Sequence, residues 1–171
     1  MSSPIPQTAN GFEPGYPEAE LRTRFADEGR PTVMVIDDSV AVRTILEASF
    51  RRVGVSVNSY PDGIAAIQAL SKGAAPVPAV VLLDINLPRM DGYEVARILR
   101  SNEQFNQTII LMLTGRDGIV DRMKSRWVGA REYIKKPFRI SDVIRIVLGY
   151  LRFTLPGVGE PPTPPSAAPR G

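Results

Sequence analysis

Two neighbouring carboxylates, Asp37 and Asp38, follow the apolar run TVMVI, and a third, Asp84, closes the run VVLLD. Both runs have the composition of buried strands, so each acid stands where a water-avoiding segment ends. Brought together, these acids would repel: at an effective dielectric of about 20, two like charges about 4 Å apart cost roughly 4 kcal/mol. Either some of them take up protons or they share a cation. An all-oxygen ligand set on a rigid rim favours Mg²⁺, which keeps part of its water shell and bridges to a phosphate. A carboxylate can also accept a phosphoryl group as a nucleophile. That transfer asks mainly for positioning and charge neutralisation, which Mg²⁺, the Lys136 ammonium and the Thr114 hydroxyl would supply, with Gly115 leaving the approach open. A competing reading of Asp37-Asp38-Ser39 is a helix start, because these residue types cap helices and stabilise them by about 1 kcal/mol. Taken singly, a residue such as Thr114 is more often a strand-end turn residue and one such as Lys136 more often a solvated charge. Their coincidence with a third acid favours a site.

The elements that must position these groups alternate. Strands are expected at 32–37, 55–60, 79–84, 108–113 and 131–134. Ser39 can cap a first helix with Val42, Ile45, Leu46 and Phe50 at helical spacing, ended by Gly54. A second helix opens at Pro61-Asp62-Gly63 and closes near Gly73, a third spans about 91–101, a fourth carries Ile119, Val120, Met123 and Trp127 on one side, and a fifth covers roughly 141–152. Strands alternating with helices imply right-handed crossovers and a parallel sheet covered on both faces, which explains the continuous apolar runs. In such α/β sheets, sites form outside the carboxyl ends of the strands, at the topological switch point. Asp37, Asp38, Asp84, Thr114, Lys135 and Lys136 all fall at that rim.

In this order, DD after the first strand, D in DINLPRMDG, T in MLTG and K in KKPF resemble the receiver domain of two-component response regulators. The resemblance spans about residues 31–153 and implies a flavodoxin-like (βα)5 fold, a doubly wound parallel sheet of strand order 2-1-3-4-5. It further implies that Asp84 is the phosphoacceptor and that Asp37, Asp38 and Asp84 bind Mg²⁺ with the Asn86 backbone carbonyl. Thr114 and Lys136 would contact the phosphoryl group, and Pro137 would follow a cis peptide bond that orients Lys136. Tyr133 matches the aromatic switch position, alongside Thr114, while Asn86 and Arg116 occupy positions that tune the rate of phosphoryl loss. Gly115 departs from the more usual alanine or serine. The stretch TGRDGIVDRMKSRWVGAREYIKKPF is also similar to single-domain, chemotaxis-type regulators of type IV pilus twitching systems. The implied partners are a sensor histidine kinase as phosphodonor and a downstream protein target. A phosphoryl group on Asp84 would add roughly −1.5 to −2 charges. The response would be reported through the fourth helix, fifth strand and fifth helix, here carrying Arg122, Lys124, Arg126, Trp127, Arg131 and Arg139. A homodimer through the same surface is one reading of it.

Composition sets the outer limits. The chain has 171 residues, 43% of them hydrophobic, enough for one domain with a sizeable core. With no cysteine, disulfides and thiolate chemistry are excluded, and with no histidine the commonest general base is absent. No apolar run approaches the roughly 18 residues needed to cross a bilayer, and MSSPIPQTAN lacks the pattern of a signal peptide. These features predict a cytoplasmic protein without membrane insertion. Residues 1–30 and 154–171 are rich in Pro and Gly, so the first segment is expected to be disordered or partly helical and the second a disordered tail around the receiver at 31–153. The net charge of +3 arises in the middle segment, where 17 basic residues face 12 acids. A solvated surface and a patch for an acidic partner both fit that excess. The last helix is apolar around more than one face: a stripe of Val143, Val147 and Tyr150 or Leu151 leaves Ile146, Leu148 and Phe153 over, to be covered by the chain's own ends or by a partner.

Two other function classes compete. An aspartate-nucleophile phosphatase of the haloacid dehalogenase type needs a second acid two residues after the nucleophile, where this chain has Asn86, and carries its acid pair late rather than first. A receiver that docks without being phosphorylated would have the same fold. No helix-turn-helix pattern follows the last helix, so no DNA contact is expected, and the only expected covalent chemistry is phosphoryl acceptance and its self-catalysed loss.

Overall fold

The structure is a computed structural model that describes residues 31–115 and 129–152. Five parallel strands are present: β1 (Thr32–Ile36), β2 (Ser56–Tyr60), β3 (Val80–Asp84), β4 (Ile109–Thr114) and β5 (Glu132–Lys135). They lie in the order β2-β1-β3-β4-β5, the flavodoxin-like arrangement. Four described helices accompany them: α1 (Val40–Arg52), α2 (Gly63–Ser71), α3 (Gly92–Arg100) and α4 (Ile140–Leu151). A short 3₁₀ turn at Glu103–Phe105, which the sequence pattern does not announce, joins α3 to β4. The helix expected around Ile119–Trp127, both chain ends and Phe153 lie outside the described residues.

Side-chain alternation along the strands builds two apolar layers. Val33, Val35, Val80, Leu82, Leu111 and Leu113 pack with Leu46 and Phe50 of α1 and Val143 and Val147 of α4. Met34, Ile36, Val81, Leu83, Ile110 and Met112 pack on the other face, with Ala66 of α2 and Val95 and Leu99 of α3. Strands β3 and β4 are buried at every residue. Fully burying a Val or Leu side chain contributes roughly 1.5–3 kcal/mol, and the four apolar residues of β3 are all fully buried. The expectation of burial on both faces fails for β2, which is half-buried throughout, and for most of β5. Both are edge strands with a neighbour on one side only.

Other departures are local. The strand and helix ends differ from the expected ones by one or two residues. Asp37 lies just beyond β1, and Thr114 is the last residue of β4, paired in register with Lys135. Ile45, counted on the apolar face of α1, is exposed, because the buried face of that helix runs through Leu46 and Phe50. Leu148 is not surplus: it is buried with Ile144 in the layer between α4 and the sheet, and Ile146 packs against the same cluster. The two-sided apolar pattern of α4 is therefore largely absorbed by the core. No helix among the described residues is long and apolar enough to cross a membrane.

Candidate functional site

The acid pocket forms where β1 and β3, neighbours in the centre of the sheet, reach their carboxyl ends. Asp37 follows β1 directly and is fully buried, whereas Asp38 is exposed. Asp84 ends β3 and is 4% exposed. One carboxylate oxygen from each of Asp37, Asp38 and Asp84 lies within 4.8 Å of the other two. Opposite vertices of an octahedral Mg²⁺ shell with bonds of about 2.1 Å are roughly 4.2 Å apart. Adjacent vertices of the same shell are roughly 3.0 Å apart, so side-chain rotations that draw the three oxygens from within 4.8 Å to those spacings would let the donor set hold a hard divalent ion.

Each buried carboxylate is fixed by both of its oxygens. Asp37 Oδ1 accepts from the Ser39 backbone N–H at 2.9 Å, and Asp84 Oδ1 from the Asn86 N–H at 3.0 Å. The second oxygens converge on one cation: the Lys136 ammonium donates to Asp37 Oδ2 at 2.7 Å and to Asp84 Oδ2 at 2.6 Å. Burial alone would lower the Lys136 pKa, but hydrogen bonds and Coulomb attraction from both aspartates outweigh it and hold the ammonium above the usual lysine value. Lys136 follows β5 and precedes a cis bond to Pro137.

The helix-start reading of Asp37-Asp38-Ser39 is divided among the residues. Ser39 is the N-cap of α1 and accepts from Val42 N–H at 3.4 Å, leaving the Asp38 side chain to the pocket. Thr114 lies one register step beyond Leu113, the partner of Asp84. The residue is buried, and among the described residues its hydroxyl makes a long 3.4 Å contact to the Gly115 carbonyl, too weak by itself to hold it firmly. Asn86 is exposed at the pocket edge. Tyr133 is half-buried on β5 and packs against the layer beside α3, its hydroxyl shielded from solvent. Arg139 is exposed and Arg131 half-buried; Arg116, Arg122, Lys124, Arg126 and Trp127 lie outside the described residues.

Three supports were not anticipated. Arg43 of α1 donates to the carbonyl oxygens of Asp37, at 2.6 Å, and Asp38, at 3.1 Å. Arg89, at φ 68°, pairs with the buried Asp62, whose other oxygen caps α2 at Ala65 N–H. Gly92 opens α3 directly against the phosphoacceptor candidate: a Cβ there would overlap the Asp84 carbonyl oxygen and come within 2.9 Å of Ile85 Cα. A basic residue close to a helix start, against the macrodipole, was the available signal for Arg43.

The family model of the response regulator receiver domain matches residues 33–148. This chain is a member of the response regulator receiver family. Among curated relatives it is 35% identical to protein PilG of Pseudomonas aeruginosa over 119 residues, 70% of this chain and 86% of PilG. Other curated relatives, mycobacterial response regulators, are longer, and the chain spans 53% of the length of one of them. Among solved structures, the chemotaxis response regulator CheY4 of Vibrio cholerae superposes with a TM-score of 0.62 at 27% identity, over 71% of this chain and 98% of CheY4. The receiver domain of sensor histidine kinase PA1611 from Pseudomonas aeruginosa, with a magnesium ion coordinated in its active-site cleft, gives the same TM-score and identity over 72% of this chain and 99% of that one. The chain is thus a receiver domain of two-component signalling, similar to the chemotaxis regulator CheY4 and to PilG.

Proposed function

We propose that this receiver is a phosphorylation-dependent switch in which Asp84 accepts a phosphoryl group from a sensor histidine kinase. The observation that carries the reading is the convergence of Asp37, Asp38 and Asp84 oxygens within 4.8 Å, with Lys136 bonded to the two buried acids. Asp84 is the central acid of the pocket, and its carboxylate is oriented by Lys136 and the Asn86 amide. As the Asp84 oxygen bonds to phosphorus, the phosphorus–nitrogen bond of the donor imidazole breaks and the imidazole leaves. Asp37, Asp38, Asp84 and the Asn86 backbone carbonyl would hold Mg²⁺, which when bound neutralises charge on the transferring oxygens. Lys136 and the loosely held Thr114 hydroxyl are the groups of this chain that would meet the other phosphoryl oxygens. No further turnover is part of this reading; the phosphoryl group is lost by hydrolysis at Asp84, with Asn86 and Arg116 tuning the rate.

The switch follows from the same contacts. The added charge of roughly −1.5 to −2 draws Thr114 to the end of β4, and Tyr133 on the neighbouring β5 responds in its half-buried site. The surface reporting this runs from the segment after β4 through β5 to the last helix, α4, and meets a downstream protein or a second copy of the chain. The likeness to PilG and to CheY4 supports a chemosensory output, twitching-motility control among the options, carried out in the cytoplasm and through protein rather than DNA.

The test is incubation of the full chain with acetyl phosphate and Mg²⁺, read by intact mass. One phosphate adduct on the wild type and none on Asp84→Asn, with an unchanged circular dichroism spectrum, is the expected result. Phosphate incorporation into Asp84→Asn at the wild-type level refutes the assignment. A wild type that stays unmodified while binding its partner equally with and without beryllofluoride favours a docking module instead.

A further inference from the structure

The three acids of the pocket are not held alike. Every polar atom of Asp37 has a partner: its N–H donates to the Tyr60 carbonyl, Oδ1 accepts from Ser39, Oδ2 from Lys136 and its carbonyl from Arg43. Asp84 is fixed by Asn86 and Lys136. Asp38 is exposed, and the side-chain bond that secures its peptide comes from Arg43, to its carbonyl oxygen.

Arg43 is oddly placed for a helix residue. It is the fourth residue of α1, a helix with no acid in its first turn. A cation near a helix N-terminus opposes the macrodipole. Its Nη1 reaches back to two successive carbonyls, those of Asp37 and Asp38, rather than out to a carboxylate. One guanidinium nitrogen therefore closes the turn between β1 and α1 across the two residues that supply two of the three clustered oxygens.

We propose that Arg43 is a positioning residue of the acid pocket, holding the turn so that the exposed Asp38 carboxylate stays within reach of a divalent cation shared with Asp37 and Asp84. This rests on the reading of the pocket as a Mg²⁺ site. The guanidinium would act in two opposed ways. As a positive charge near the pocket it repels a cation; as a clamp on the two carbonyls it removes the entropy the turn would otherwise lose when the cation binds. The sign of the change in affinity separates the two, because losing a clamp weakens binding and losing a competing charge tightens it.

The experiment is calorimetric titration of Mg²⁺ into the unphosphorylated full chain, with thermal unfolding of each variant measured without metal. Removing a group that orients metal ligands typically costs 10–100-fold in affinity, so Arg43→Ala is expected to bind Mg²⁺ about 10-fold more weakly or worse. Arg43→Lys, which keeps a single donor nitrogen and the charge, is expected to recover part of that loss. Unchanged or tighter binding by folded Arg43→Ala overturns the proposal. Should that variant not fold, Arg43→Lys decides: binding weaker than wild type supports the clamp, and equal binding overturns it. A drop in melting temperature with unchanged affinity assigns Arg43 a structural role only and also overturns it. Wild-type protein that binds no Mg²⁺ overturns the metal-site reading and this proposal together, whereas wild-type binding with indifferent variants overturns this proposal alone.

Discussion

The Lys136 ammonium stands 2.6 Å from Asp84 Oδ2 and, at the same time, 2.7 Å from Asp37 Oδ2. One positive charge thus bridges two buried acids, one just beyond β1 and one at the end of β3. Lys136→Ala leaves both carboxylates buried without their partner. Removing one member of a fully buried pair costs about 3–5 kcal/mol; with the lysine side chain 26% exposed, on the order of 2 kcal/mol is expected here. Added Mg²⁺ should restore more stability to Lys136→Ala than to the wild type, because the ion then supplies the missing positive charge. Urea unfolding with and without Mg²⁺ measures both effects, and equal Mg²⁺ stabilisation of the two proteins contradicts the compensation.

Gly92 marks how closely α3 is docked on the end of β3. Its N–H bonds the Ile85 carbonyl at 3.0 Å, and a Cβ would collide with backbone, not with a side chain able to turn away. Overpacking typically costs 1–3 kcal/mol, and rigid neighbours put Gly92→Ala at the upper end, about 3 kcal/mol. The urea midpoint reports it. A loss below about 0.5 kcal/mol would mean that α3 can shift freely away from Asp84.

The central strands were legible because burial on both faces writes an unbroken apolar run, as in VVLLD and IILMLT. Their chemistry was legible because a charge at the end of such a run has few structural reasons to be there. Edge strand β2 was expected at 55–60, but its half-burial comes from its place in the sheet, which no local pattern carries. Ile45 fits the helical spacing as well as Leu46 does; only the angle at which α1 meets the sheet decides between them. The Lys136 contacts join residues 99 and 52 positions apart in the chain, so their distances follow from the assembled sheet alone. Arg43 and Gly92 act on backbone atoms, which every residue possesses, and so left little trace in the sequence pattern.

Arg89 has positive φ, at 68°, among the residues described, in the loop that carries Asn86. The left-handed conformation costs a residue other than glycine about 1–2 kcal/mol. Its ion pair with Asp62 returns only part of that, because the guanidinium is 61% exposed and exposed pairs are worth about 0.2–1 kcal/mol. Arg89→Ala keeps the strained backbone and loses the pair, whereas Arg89→Gly loses the pair and the strain together. Arg89→Gly is therefore expected to be more stable than Arg89→Ala by about 1 kcal/mol. Denaturant midpoints of the two variants test it, and an alanine variant as stable as the glycine variant would show that the loop relaxes out of the left-handed region.

Glu132 of β5 accepts a 2.9 Å hydrogen bond from the Tyr150 hydroxyl of α4. Burial raises its pKa above the usual carboxylate value, and the Tyr150 bond, which pulls the other way, does not cancel that. The folded chain therefore holds this proton to higher pH than the unfolded chain does. As pH rises from the ordinary carboxylate range through the raised folded value, the unfolded state ionises first and stability is lost; above that value the loss is complete. Glu132→Gln keeps an acceptor for Tyr150 but cannot ionise. Its stability relative to wild type is expected to increase as pH climbs through that window and to be level on either side. Urea unfolding at a series of pH values from about 4 to 8 follows the difference. A difference that stays constant across the series would mean that Glu132 titrates alike in the folded and unfolded chain.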